Sequence, residues 1–441
     1  MIVSTRTALV RLASSVPAFA LALVLAVALL LPACGGSSDA ASGQTTVRVL
    51  NLATDVGSLN LLVDDTEAFQ AVDTDTVSAS TTFDAGTYTL KVRMAGSSSN
   101  LLSQSHSLSK DQHYLAVVWG RLSAPRLSTL SEDGDDSGIS SGNTRLRVMN
   151  ATIDSGAVDV YLTTSDADLG DSTATVASVA SGGISAFKEF SAGTYRLRVT
   201  GAGDPADVRL DVASLSLSAL QHATLIVTAG TSGVLVHGAV VPQLGTLALS
   251  KNQQSRVRVV AGVEAAGSVG VSLGARTLAG SIRSPSVGPY AVIDAGTATL
   301  AVRVNGVALA TQAQEFQAGS DYTLLVYGAA GAPQVQRITD DNRLPTTSSR
   351  MRIRMINGTS LADPLALSVD YAAVASDVPA GYGSSYVTLA SNASARVDVT
   401  APSAASPLFS DTDANLQALS VYTVFMLGGN SVPTGVMRKE R

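Results

Sequence analysis

The chain has 441 residues, of which 46% are hydrophobic and 15% charged, and its formal charge is -6. That length exceeds what a single hydrophobic core serves and implies several domains, and the acidic balance excludes general affinity for nucleic acid, whose phosphates call for a basic field. Cysteine occurs once, at Cys34, so no internal disulfide is available and each domain must hold together by packing alone.

Residues 1–33 read as an export signal. Arg6 and Arg11 supply a short cationic region, and an apolar run from Ala18 to Leu31 follows, near the length of a signal-peptide core and short for a membrane-spanning helix. Its end, Leu31-Pro32-Ala33-Cys34, resembles the lipobox of bacterial lipoproteins; Leu31, Ala33 and Cys34 match, while Pro32 departs from the usual small residue. The resemblance implies cleavage before Cys34, a thioether-linked diacylglycerol on its sulfur and acylation of the new amino group. Two or three chains anchor where one is reversible, since each buried methylene contributes about 0.8 kcal/mol. Residues 34–45, rich in Gly and Ser, form the tether. Gly35 after the cysteine resembles the outer-membrane sorting pattern, and the resemblance implies a place in the bacterial cell envelope. Loss of Arg6 and Arg11 leaves 27 basic residues against 35 acidic, a net charge of -8.

Four units follow, at 46–136, 144–250, 254–343 and 349–441. Each opens on a strand with an Arg-x-Arg or x-Arg pattern: Thr46–Asn51, Arg145–Asn150, Arg256–Val260 and Arg350–Asn357. A second strand alternates apolar and polar residues, as in Leu59–Val63, Val158–Leu162, Val269–Leu273 and Leu365–Val369, the period-2 signature of a half-buried strand. Next comes a repeated turn and strand, Asp84-Ala85-Gly86-Thr87-Tyr88, with copies starting at Ser191 and Asp294 and a decayed one at Asn392. In the first copy Tyr88, Leu90 and Val92 are expected to face a core and Thr89, Lys91 and Arg93 water. Asn305-Gly306 is a type I′ hairpin signal. Near-continuous apolar runs, His113–Gly120, Ala223–Val227, Asp321–Gly328 and Val421–Gly428, suit the centre of a sandwich. Each unit ends in an edge strand and an acidic or polar link such as Glu132–Asp136 or Asp340–Asn342.

Outside the export signal no stretch carries a capped 3.6-residue period, so the class is all-β: tandem immunoglobulin-like β-sandwich domains. A period near a hundred residues implies separate beads, which if extended form a rod on the order of 150 Å. The opening Arg-Val-(Leu/Met)-Asn, the Val-Asp-Val-Tyr second strand, the Ala-Gly-Thr-Tyr turn, the Tyr-Thr-Leu-Leu-Val strand and the closing Asp-Asp resemble the repeats of domain of unknown function 4397. The resemblance implies tandem β-sandwiches of a bacterial envelope protein with no assigned catalysis and no cofactor.

Constellations that could carry chemistry are sparse. Gly270-Val271-Ser272-Leu273-Gly274 fits the hydrolase pattern G-x-S-x-G, but that motif needs a strand, turn and helix to expose the serine, and no helix follows. His106, His113, His222 and His237 have no metal-ligand spacing and read as polar strand-end residues. Asp133, Asp135 and Ser137 match half of a calcium loop without its closing glutamate and read first as an acidic linker, so no metal is expected. The arginines of the opening strands, Arg145, Arg147, Arg256, Arg258, Arg350, Arg352 and Arg354, either guard a strand edge against aggregation or grip a polyanion such as an envelope polysaccharide. The resulting expectation is a non-enzymatic, lipid-anchored protein that adheres, scaffolds or presents a ligand, with the membrane and an envelope protein or polysaccharide as partners. The alternative is an array of carbohydrate-binding modules, for which aromatic residues are few.

Overall fold

The computed structural model describes residues 43–133, 138–429 and 433–441. The export signal, Cys34 and its flanking motif, and the calcium candidates Asp135 and Ser137 lie outside these residues. Strands organise the chain, and no α-helix occurs among the described residues.

The first sandwich sets the pattern. Its strands are β1 (Gln44–Asn51), β2 (Leu59–Val63), β3 (Thr66–Val72), β4 (Thr76–Val77), β5 (Thr81–Asp84), β6 (Gly86–Met94), β7 (Asn100–Leu108), β8 (His113–Arg121) and β9 (Ala124–Ser131). One sheet runs β3-β2-β6-β7; in the other, β1 and β9 flank β8, and the short β4 and β5 both pair with the free side of β1. β1 and β8 are parallel, with Val47 beside Tyr114 and Val49 beside Ala116. The core between the sheets takes Val47 and Val49, Leu59, Leu61 and Val63, Leu90 and Val92, and Ala116 and Val118. These are the alternating positions of the sequence pattern. Sandwiches with the same two-sheet plan follow, opening on Asn143–Ala151, Gln254–Val263 and Arg350–Thr359, each with its own core.

Local signals explain much of this. Asn305 and Gly306 both have positive φ (51° and 81°) and join strands with Val304 opposite Val307, the geometry a type I′ turn demands. The Asp84-Ala85-Gly86-Thr87 stretch is not a hairpin turn: β5 hydrogen-bonds to β1 and β6 to β2, so the chain changes sheets at Ala85. The second-strand aspartate of Val-Asp-Val-Tyr is structural, since Asp159 accepts the Ser178 N–H at 2.6 Å and the Gly203 N–H at 2.8 Å. Tyr114, Tyr322 and Tyr422 accept backbone N–H groups five residues upstream, at 3.1, 3.1 and 2.8 Å, in the manner of a tyrosine corner.

The asparagine that closes an opening strand is a buried bracket. Asn150 donates to the carbonyls of Gly156 and Val179, both at 2.9 Å, and accepts the N–H of Thr152 at 3.2 Å. Asn51 does the same with Gly57, Val72 and Ala53. An Asn150→Ala variant strands two carbonyls and an N–H in a dry interior and is expected to lose about 2–3 kcal/mol. Urea unfolding followed by the emission of Trp119 measures that loss; an unchanged midpoint would refute the bracket.

The sandwiches are not separate beads. On β8, Ala116 and Val118 face inward while Leu115, Val117 and Trp119 pack, with Leu50 and Leu52, against Met149, Ala151, Ile226, Ala239 and Val241 of the second sandwich. Sandwiches three and four join in the same way through Val260, Leu325, Tyr327, Ile356, Phe425 and Leu427. A strand buried on both faces needs apolar residues at every position, which is why the β8-type runs are continuous. The two pairs also touch: the Ser232 N–H donates to the Gly319 carbonyl at 3.1 Å, the Leu344 N–H to Asp154 at 3.0 Å, and Arg441 to the Gly233 carbonyl at 2.7 Å. The described residues from Gly43 onward form one compact unit, which replaces the expected string of beads.

Candidate functional site

The opening-strand arginines stand where their strands face the next sandwich, and that placement decides their chemistry. Opening strands are not edges, because each lies between a β8-type strand and short outer strands. In the second pair, Arg258 and Arg354 are only 2% and 3% exposed. Arg258 donates to Glu440 at 2.7 Å and to the Thr323 hydroxyl at 2.8 Å, and its guanidinium lies 4.5 Å from the Tyr290 ring and 4.9 Å from that of Phe425. Arg354 pairs with Asp340 and stacks on Tyr386 at 4.6 Å. Arg256 grips Asp321 with two bonds of 2.9 and 2.7 Å. Three guanidiniums thus meet three carboxylates, Asp321, Asp340 and Glu440, so the cluster is neutral.

Hydrogen bonds tie the cluster together. Asp340 accepts from the Tyr290 hydroxyl at 2.6 Å and from Thr323 at 2.7 Å, and Asn342 donates to Asp321 at 2.7 Å. Burial raises the Tyr290 phenol well above its ordinary value, and the charge of Asp340 adds to that, so the hydroxyl remains a donor. Burial by itself would raise the Asp340 carboxyl; Arg354 and Arg258, with the two hydroxyls, more than offset it and hold the group below the usual range. Asp341 is held low against the same burial by hydrogen bonds from Arg343 and Arg352.

The first pair carries a reduced version. Arg48 clasps Glu132 with Nε to Oε2 at 2.7 Å and Nη2 to Oε1 at 2.5 Å, and crosses to the Gly245 carbonyl at 2.5 Å. Arg147 donates to the Thr224 hydroxyl at 2.9 Å and the Ser131 carbonyl at 2.8 Å and stacks on Phe187 at 4.7 Å. Arg145 pairs with Glu189 at 3.0 Å, and Arg352 with Asp341 at 2.7 Å. Of the seven candidate polyanion contacts, Arg350 is the one left exposed. Arg258 and Arg354 are not offered to a polymer, because they are buried at the joint and paired with carboxylates there, while Arg145 is part-exposed and paired with Glu189 of its own sandwich. Glu132 and Asp340, read from sequence as polar links, are buried partners of opening-strand arginines, and Asn342 holds Asp321, the partner of Arg256. The available signal was their recurrence just after the last strand, in step with the arginine of the opening strand.

The other candidates are also engaged structurally. Ser272 sits mid-strand, opposite Thr277 and Ala301, not at a strand-to-helix turn. Asp133 holds the His113 ring at 2.6 Å and its N–H at 2.5 Å. His237 accepts the Asn252 N–H at 2.9 Å, which fixes its tautomer, and burial lowers its pKa, as it does that of His106. His222 lies edge-on to Phe187 at 5.2 Å. No group of three or more His, Cys, Asp or Glu able to hold a metal ion occurs among the described residues. A groove of about 390 Å³ opens in the fourth sandwich, lined by Val374, Asp377, Pro379, Tyr382, Ser384 and Val387, with Tyr382 57% exposed.

The chain has partial likenesses among known proteins. The chain resembles in part a candidate cell adhesion protein of Bacteroides uniformis (11% identity, 45% of this chain and 98% of that one, TM-score 0.20) and another of Bacteroides ovatus (12%, 46% and 98%, 0.20). A family 26 carbohydrate-binding module of Eubacterium rectale, solved with maltoheptaose, matches at 12% identity over 42% of this chain and 91% of its own, with a TM-score of 0.15. No role for this chain follows from likeness at that level. Among curated proteins none matches. The family model for a domain of unknown function, DUF4397, matches residues 45–161 and 255–365. Each match starts on the opening strand that leads a pair and runs into the second strand of the pair's other sandwich. Together they span more than half the sequence, and the chain belongs to the DUF4397 family.

Proposed function

We propose that the protein is a lipid-anchored, non-catalytic component of the bacterial cell envelope, probed by its partners through the outer sheets of two rigid sandwich pairs. The observation that carries this reading is the place of Cys34, the sole cysteine, at the end of Leu31-Pro32-Ala33-Cys34 and ahead of a Gly/Ser tract. Its polar side chains support a scaffold more than an enzyme: arginines, aspartates and glutamates are spent on joints between sandwiches, where they hold orientation. Adhesion, scaffolding or ligand presentation at the outer membrane is the role that fits. The test is fractionation of cells carrying the full chain, with mass spectrometry of its N-terminal peptide. A diacylglyceryl-modified Cys34, and release of a Cys34→Ser variant into the soluble fraction, are the expected results; an unmodified Cys34 would sink the reading.

A second reading, binding of an envelope polysaccharide, draws on the groove beside Tyr382, where an exposed ring could stack on a sugar with Asp377 and Ser384 nearby. A glycan array read with Tyr382→Ala as the comparison decides it.

A further inference from the structure

Two leucines are exposed where the fold does not require it. Leu220 and Leu244 are 62% and 51% exposed, and both take the left-handed backbone conformation, with φ of 56° and 53°. At Leu220 that conformation belongs to the turn ahead of each central strand, since Asp111, Gly319 and Leu419 share it, so what marks the place is the exposure of two leucines side by side. The two flank one groove of about 370 Å³, whose lining includes Ala219 and Pro242.

Their position in the fold identifies what they meet. Gly43, where the tether enters the first sandwich, lies against Lys110, and the Asp111 N–H donates to the Gln44 carbonyl at 2.7 Å. The Leu220 N–H makes the same bond to Asn143, at 2.7 Å, in the second sandwich. Leu244 donates its N–H to Glu132 at 3.2 Å, and the Glu132 N–H bonds the carbonyl of His113, next to that same turn. Both leucines therefore share the end of the first pair at which the tether arrives. Only Gly35 to Ser42 separate Cys34 from Gly43, a span of at most about 30 Å when fully extended.

We propose that the loop tips bearing Leu220 and Leu244 rest in the interfacial layer of the bilayer that holds the Cys34 lipid, so that tether and tips together set the tilt of the sandwich pairs. The inference rests on the lipid-anchor reading above. Leucine tips bind weakly by themselves, but a short tether makes their contact intramolecular and keeps their local concentration high. Burial of one leucine side chain then supports a bound-to-free ratio on the order of ten.

The experiment uses the full lipidated chain in vesicles of phosphatidylethanolamine and phosphatidylglycerol. Leu220→Cys, Leu244→Cys and, on a hairpin of the third sandwich, Val307→Cys are each labelled with an environment-sensitive fluorophore; the native Cys34 sulfur is blocked by its thioether. Labels at 220 and 244 are expected to resist aqueous iodide on the order of tenfold better than the label at 307, and to be quenched by nitroxide lipids. Unchanged Trp119 emission confirms that each variant is folded. If Cys34→Ser releases the protein but labels at 220 and 244 on the anchored protein are as open to iodide as the label at 307, the bilayer contact is overturned and the anchor stands. If Cys34→Ser stays with the vesicles, the anchor reading fails and this inference with it. Protection that persists in lipid-free protein would assign the tips to a second copy of the chain and overturn the bilayer contact as well.

Discussion

Asp340→Ala is expected to destabilise the second sandwich pair by about 3–5 kcal/mol, the usual consequence of removing one partner of a buried, hydrogen-bonded ion pair. The carboxylate is fully buried, pairs with Arg354 and accepts from Tyr290 and Thr323. Its loss leaves Arg354 without a counter-charge in a space it cannot leave, whereas an exposed pair such as Lys91 with Asp65 is screened by water and contributes little. The same group predicts acid sensitivity. Because the folded carboxyls of Asp340 and Asp341 are depressed, their contribution is fully present above the unfolded value of about 3.9 and is lost as pH falls through the lower folded value. Urea midpoints taken at neutral pH and near pH 3 should therefore separate more in the parent than in Asp340→Ala. Equal separations would show that the cluster does not carry the acid response.

Gly381→Ala is the second large effect, with an expected loss of about 3 kcal/mol or more. Gly381 has φ of 86°, and a Cβ there would collide with the ring of Tyr327, reaching within 2.5 Å of its Cζ. Tyr327 belongs to the apolar joint between the third and fourth sandwiches, so the clash falls on the joint itself. Gly182 occupies the matching place in the first pair, with φ of 72° and Trp119 at 3.3 Å from the added atom. There the ring needs to yield by only a few tenths of an ångström, so Gly182→Ala should cost less, about 1–2 kcal/mol. Calorimetry of both variants checks the order; a Gly182→Ala that unfolds at the lower temperature would contradict the difference in contact.

Much of the single sandwich is legible in local sequence. Leu59, Leu61 and Val63, with their counterparts three times over, alternate because one face of a strand meets a core, and that needs no knowledge of the partner sheet. Asn305-Gly306 identifies its hairpin because few residue pairs tolerate two positive φ angles. The Asp84–Thr87 stretch reads as a turn ahead of a strand, and only the pairing of β5 with β1 and of β6 with β2 shows that the turn carries the chain from one sheet to the other, since glycine and small residues serve a sheet change as well as a hairpin.

The sequence by itself determined the class, the fourfold repeat and the family, since these follow from the alternation of side chains along a strand and from residues that recur at fixed places. Tertiary structure decided whether the second face of each β8-type strand meets water or another sandwich, and so whether Arg258 and Arg354 are surface charges or buried joints. An arginine between two valines has one local pattern in both situations. What distinguishes them is the carboxylate brought beside it from far along the chain, Glu440 for Arg258, and a pairing over that distance leaves no trace in the period of either strand.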